Sequence, residues 1–122
     1  MSESYDLGLQ GEALACRHLE SEGCRIIETR WRLNHLELDI IATDGKSLIV
    51  AEVKTRRTAT WGDPMEAITY RKIMNIVRAA NAYFKLNNIT LPYRFDVFGI
   101  VIPRKGEPSV SHIADAFYPP LG

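Results

Sequence analysis

Cysteine is scarce in this chain of 122 residues, which has two, Cys16 and Cys24. Their spacing makes neither a CxxC pair nor a zinc-finger pattern. No apolar run approaches the ~20 residues that a membrane-spanning helix needs. The amino-terminal segment Met1-Ser-Glu-Ser-Tyr-Asp6 is acidic and lacks the apolar core of a secretory signal. These absences read as a cytoplasmic protein with reduced thiols and no membrane partner. A charge excess is missing too, since 15 basic side chains balance 15 acidic ones. That excludes a histone-like protein that binds nucleic acid by bulk charge. It leaves room for a nuclease, whose carboxylates cancel basic residues in the count. The basic residues must then cluster, and Arg30, Arg32, Lys54, Arg56 and Arg57 are the candidates. Internal repeats, low-complexity tracts and long Gly/Ser/Pro linkers are also absent.

What is present suits one globular domain over residues 1–122, with 46% hydrophobic and 25% charged residues. Leu7, Gly11, Leu14 and His18 recur at helical spacing, which predicts a helix over Ser4–Glu22 with Gly23 placed to end it. Cys24–Trp31 is rich in strand formers. Leu36–Ala42 and Ser47–Thr55 flank the turn signal Asp44-Gly45 and read as a hairpin. Thr58–Pro64 reads as a loop, and Asp63-Pro64 as the cap and first turn of a second helix running to about Leu86. Tyr93–Ile102 and a short segment around Val110–Ala114 complete the strands. The order αβββαββ predicts an α/β fold, with helices around a mostly central sheet.

The hairpin carries the chemistry. Strict alternation places Leu36, Leu38, Ile40 and Ala42 on one face, and Glu37 and Asp39 on the other. On the second strand, Glu52 and Lys54 share a face with Val50. A two-residue loop sets Glu52 opposite Glu37, and a four-residue loop sets it opposite Asp39. In either register Glu37, Asp39, Glu52 and Lys54 emerge together. Two carboxylates ~4 Å apart repel by about 4 kcal/mol at an effective dielectric near 20. A divalent cation converts that repulsion into coordination. The plainer alternative is the solvated face of an amphipathic hairpin, with Glu52 and Lys54 a surface pair.

Asp39 followed by Glu52-Val53-Lys54 resembles the signature of PD-(D/E)xK nucleases, and Gly11-Glu12 resembles the early helical glutamate of archaeal Holliday-junction resolvases. Over Gly8–Val101 the chain resembles the YraN-like uncharacterised bacterial family. The matching segments are Gly11-Glu12-x-x-Ala15, Glu37-Leu38-Asp39-Ile40-Ile41-Ala42, Val50-Ala51-Glu52-Val53-Lys54-Thr55-Arg56, Trp61-Gly62-Asp63-Pro64, Lys72 and Arg94-Phe95-Asp96-Val97. One departure is Leu36, where the family carries glycine.

The resemblance implies a restriction-endonuclease-like core and a metal-dependent endonuclease acting on nucleic acid, in particular DNA and branched DNA. Asp39 and Glu52, with the Val53 carbonyl, are then the expected ligands of Mg²⁺ or Mn²⁺. Lys54 orients or activates the attacking water, and Glu12 approaches the metal or its water shell. Glu37 is an auxiliary acid. Arg56, Arg57 and Lys72 are expected on the nucleic-acid backbone, although each also fits a solvated strand end or a snorkelling lysine. Arg94 and Asp96 share a strand face as a structural ion pair. Trp61 either stacks on a base or anchors its own loop. Resolvases cut two strands symmetrically, which implies a homodimer. Two rival functions are a nucleic-acid-binding module of this fold without catalysis, and a protein-interaction or assembly factor. The residues themselves do not choose between DNA and RNA.

Overall fold

The computed structural model describes residues 2–59 and 64–119. Helix α1 spans Glu3–Ser21. Ser2 caps it by accepting the Tyr5 N–H, and Glu3 and Asp6 put negative charge in the first turn, where the helix dipole favours it. Gly23 follows with φ 90°, a left-handed conformation that glycine adopts without penalty. Then come β1 (Arg25–Leu33), β2 (Leu36–Thr43), β3 (Leu48–Arg56), α2 (Tyr70–Leu86), β4 (Tyr93–Val101) and β5 (Ser109–Phe117). The predicted order of elements is the observed one.

The second helix starts later than expected. Pro64–Ala67 form a 3₁₀ turn, and Thr69 is the cap of α2, accepting the Lys72 N–H. The Pro64 ring lies where a side chain at residue 99 would be, so Gly99 lets this turn seat directly on β4. Ile68 is then buried before the chain restarts as a helix. The expected cap Asp63, together with Trp61 and Gly62, lies outside the described residues.

The five strands form one sheet in the order β1-β2-β3-β4-β5. Neighbours are antiparallel except β3 and β4, which run parallel from Leu48↔Tyr93 to Arg56↔Val101. A parallel pair needs a crossover, and the segment containing α2 supplies it. One face packs Ile40, Ala42, Ile49, Ala51, Phe98 and Ile100 against Ala15 and Leu19 of α1. The other packs Leu38, Ile41, Leu48, Val50 and Phe95 against Ile76, Val77, Ala80 and Tyr83 of α2. With both faces covered, the central strands are near-continuous apolar runs, which is why β3 reads Leu-Ile-Val-Ala before its charged end. Cys16 and Cys24 are free thiols. Among the described residues no helix is long and apolar enough to cross a membrane.

Strict alternation along β2 does not hold. Leu38 packs on the α2 side, whereas Ile40 and Ala42 pack on the α1 side. The intervening residue is Asp39. Its neighbour position across the β1–β2 pair, between Thr29↔Ile40 and Trp31↔Leu38, is Arg30, whose φ is 50°. A left-handed, non-glycine residue inside a strand turns the local backbone and flips the faces beyond it. The β2–β3 ladder also ends here, with Ile40↔Ala51 as its last pair.

Candidate active site

The turn between β2 and β3 fixes the register on which the site depends. Thr43 pairs with Leu48, leaving a four-residue loop from Asp44 to Ser47. Asp44 Oδ1 accepts the N–H groups of Lys46 and Ser47, each at 2.8 Å, and Gly45 supplies a φ of 93°. Continued by one pair, this register brings Asp39 abreast of Glu52. The ladder stops short of that pair, leaving a gap in the backbone pairing beside Asp39 and Glu52. Asp39 Oδ2 reaches across it and accepts the Val53 N–H at 2.9 Å. In an extended strand a residue's N–H and C=O point to the same side, so the Val53 carbonyl faces this gap too.

Glu52 is 5% exposed, one of few charged groups in the interior. Burial, then the Asp39 charge and a hydrogen bond shared with Asp39, raise its carboxyl well above the ordinary range; Lys72 and Lys54 oppose the rise. Lys72 Nζ lies 3.2 Å from Glu52 Oε1 and Lys54 Nζ 3.8 Å. Burial works most strongly against the charge on Lys72, but the Glu52 carboxylate and, behind it, Asp39 and Glu37 together hold the ammonium above its usual pKa. The hydroxyl cap of Thr69 places Lys72 in the first turn of α2, and β3 supplies Lys54. Two cations therefore converge on one buried carboxylate from different elements.

Glu12 comes from α1. A side chain at residue 11 would overlap Thr55, so glycine there lets the helix backbone close onto β3. The next residue, Glu12, is then carried beside the gap. Burial first, then Asp39 and Glu37, raise its carboxyl to about 7, against a lowering by Arg30. The Arg30 guanidinium is steered by a 2.9 Å hydrogen bond to the Tyr5 hydroxyl. Glu12, Asp39 and Glu52 thus form an electrostatically coupled group of carboxylates with Lys54 and Lys72 beside it.

The remaining candidates stand further out. Glu37 pairs with Arg32 at 2.8 Å across the β1–β2 pair and acts on Glu12 and Lys72 only through its field. Arg56 is exposed at the end of β3 and donates to the Thr55 carbonyl. Arg57 is engaged within the fold, bonding Glu3 at 3.0 Å and the Ile102 carbonyl at 3.3 Å. Sequence reasoning set Lys72 on the nucleic-acid backbone; the structure brings it against Glu52. Arg30, read only as one of several basic residues, proves to stand beside Glu12, and its left-handed backbone has no signature in residue type. Arg94 and Asp96 do pair, through Arg94 Nε and Asp96 Oδ1 at 3.0 Å.

A family model described as Uncharacterised protein family UPF0102 matches residues 11–100. Its span begins at Gly11, immediately before Glu12, and contains every candidate in the gap. A UPF0102 protein of Bacteroides thetaiotaomicron is 45% identical over 121 residues, covering 99% of both chains. One of Chlorobium chlorochromatii is 42% identical over 96% of this chain and 95% of its own. One of Arthrobacter is 41% identical over 88% of this chain and 92% of its own.

Proposed function

We propose a function from this premise: the chain belongs to Uncharacterised protein family UPF0102, and its carboxylate–lysine cluster is the active site of a metal-dependent nuclease. The observation that carries the reading is the buried Glu52, met by two lysines beside Asp39 where the β2–β3 pairing ends. A surface ion pair has no need of such burial, and a core would exclude it. The element order, the parallel β3–β4 pair and the acidic residue followed by Glu-x-Lys on the next strand favour the restriction-endonuclease-like PD-(D/E)xK fold.

The donor set fits Mg²⁺ or Mn²⁺: hard oxygens from Asp39, Glu52 and the Val53 carbonyl, with Glu12 coupled electrostatically to Asp39 from α1. Such an ion supplies charge neutralisation at the phosphate and a lowered pKa for its water. The chain's own residues then have separate tasks. Lys54 and Lys72 hold positive charge where the phosphate's charge grows. Glu12, titrating near neutrality, can take or hold a proton of the attacking water. Arg56 lies past Lys54 on the same strand and offers charge to the flanking phosphate. Arg57 can do so by exchanging Glu3 for a phosphate. The substrate favoured is DNA, and a homodimer is the assembly that cuts paired strands. A cytoplasmic location fits that substrate.

Incubation with branched, duplex and single-stranded DNA and with RNA, in Mg²⁺ or Mn²⁺, tests the reading. Metal-dependent cleavage by the wild type, lowered at least ~100-fold in Glu52→Ala and Lys54→Ala, is expected. Binding without cleavage would make the chain a nucleic-acid-binding module, and neither would leave an assembly factor.

A further inference from the structure

On the α1 side of the sheet, away from the carboxylate gap, three side chains meet that the proposed chemistry does not use. His18 and Glu22 are one helical turn apart, at the end of α1 and its cap, and His112 lies on β5. One potential ligand atom from each lies within 4.8 Å of the other two. His18 Nε2 is 3.5 Å from Glu22 Oε1, and that same oxygen is 3.4 Å from His112 Nδ1. Nitrogen and oxygen ligands held ~2.0–2.1 Å from a tetrahedral zinc ion stand about 3.3–3.4 Å apart. Two edges of the group already have nearly that length.

His112 is fixed as a ligand would be. Its ring stacks on Phe98, with centroids 4.2 Å apart and planes inclined by 9°. Its Nε2 is 2.7 Å from Oδ2 of Asp96, which is fully buried. Asp96 is itself held by Arg94 and by the Asp115 N–H, and can therefore keep accepting. With Nε2 engaged by Asp96, Nδ1 is the ring nitrogen left to face Glu22. A carboxylate on the far ring nitrogen fixes tautomer and orientation and raises the basicity of the ligating nitrogen. An imidazole nitrogen and a carboxylate oxygen 3.4 Å apart are spaced to share one cation.

We propose that His18, Glu22 and His112 form a binding site for a zinc-class transition-metal ion, which clips the end of α1 to the edge strand β5. Imidazole ligands select such an ion over Mg²⁺, and three protein ligands leave a fourth position for water. The site is independent of the nuclease reading.

The full-length protein, stripped with EDTA, is titrated with Zn²⁺ in excess Mg²⁺ and separately with Co²⁺. The wild type is expected to bind one Zn²⁺ in the presence of the excess Mg²⁺, show the visible absorption of four-coordinate Co²⁺, and melt at a higher temperature with Zn²⁺. His18→Gln and His112→Gln should each lose the Co²⁺ bands and weaken Zn²⁺ by more than about tenfold. His18 is half-buried with its ring edge-on to Phe98, so each variant's own melting temperature in EDTA is the baseline from which its loss of Zn²⁺ stabilisation is read. Asp39→Ala and the double variant Cys16→Ser/Cys24→Ser should retain the Co²⁺ spectrum. Unchanged binding in both histidine variants, loss of binding in the cysteine variant, or no Zn²⁺-dependent stabilisation of the wild type would overturn the proposal. In the last case a proton shared between Glu22 and an imidazolium His112 accounts for the contacts.

Discussion

Glu12 is the residue whose environment is most legible in a titration. Its carboxyl is raised from 4.5 to about 7, chiefly by burial and then by Asp39. Between those values the folded chain holds a proton that the unfolded chain has released. Stability without divalent metal therefore falls as pH rises through that window, and the upward shift of Glu52 extends the fall to higher pH. In EDTA, Glu12→Gln should flatten the slope and raise the melting temperature at pH 8 by a few degrees, as seen by calorimetry. A slope unchanged from the wild type would remove Glu12 from the carboxylate group. The shared face of Glu52 and Lys54 could be read from the period of two along β3. The four-residue loop, one of the two registers open to the sequence, brings Asp39 abreast of Glu52 although alternation along β2 fails there. Glu12 could not be placed by periodicity, since the depth at which a helix packs depends on its smallest residue meeting its partner. That partner, Thr55, lies 44 positions away in the chain.

At the scale of elements, the close approach of α1 to β3 sets the position of Glu12. Gly11→Ala should cost about 1–3 kcal/mol of stability, because a methyl group must displace a β-branched side chain held in a strand. It should also lower cleavage more than it lowers stability, since the helix moves and carries Glu12 with it. Urea unfolding and the cleavage assay together check this; a stable variant with full activity would contradict it. The first helix and the hairpin strands lie close to their predicted bounds because they carry a periodic or turn signal, whereas β5 runs over Ser109–Phe117, beyond the predicted Val110–Ala114. The faces of β2 were misread at Leu38 and Ile40, and α2 was begun too early. In both places a tertiary contact overrides the local pattern: the left-handed turn of Arg30 opposite Asp39, and the seating of Pro64 over Gly99.

The whole molecule carries no net charge, so any attraction to nucleic acid must come from placement. Lys54 and Lys72 are committed to Glu52, and Arg57 to Glu3. Arg56, exposed at the end of β3 past Lys54, where it donates to the Thr55 carbonyl, is a further candidate for a backbone phosphate. Arg56→Ala should reduce the slope of log affinity against log salt by about 0.9 for duplex DNA, or ~0.7 for a single strand. A slope equal to that of the wild type would remove the contact. The parallel pairing of β3 with β4, which places α2 and hence Lys72 over the gap, was beyond the sequence's local patterns: pairing partners are set by the packing of the whole chain. The most direct test of the account is an anomalous difference map from crystals soaked in Mn²⁺. A peak is expected between the carboxylates of Asp39 and Glu52, and it should vanish in Asp39→Ala. Saturating Mn²⁺ with no density there, or a peak indifferent to that substitution, would contradict the metal-dependent chemistry proposed for this chain.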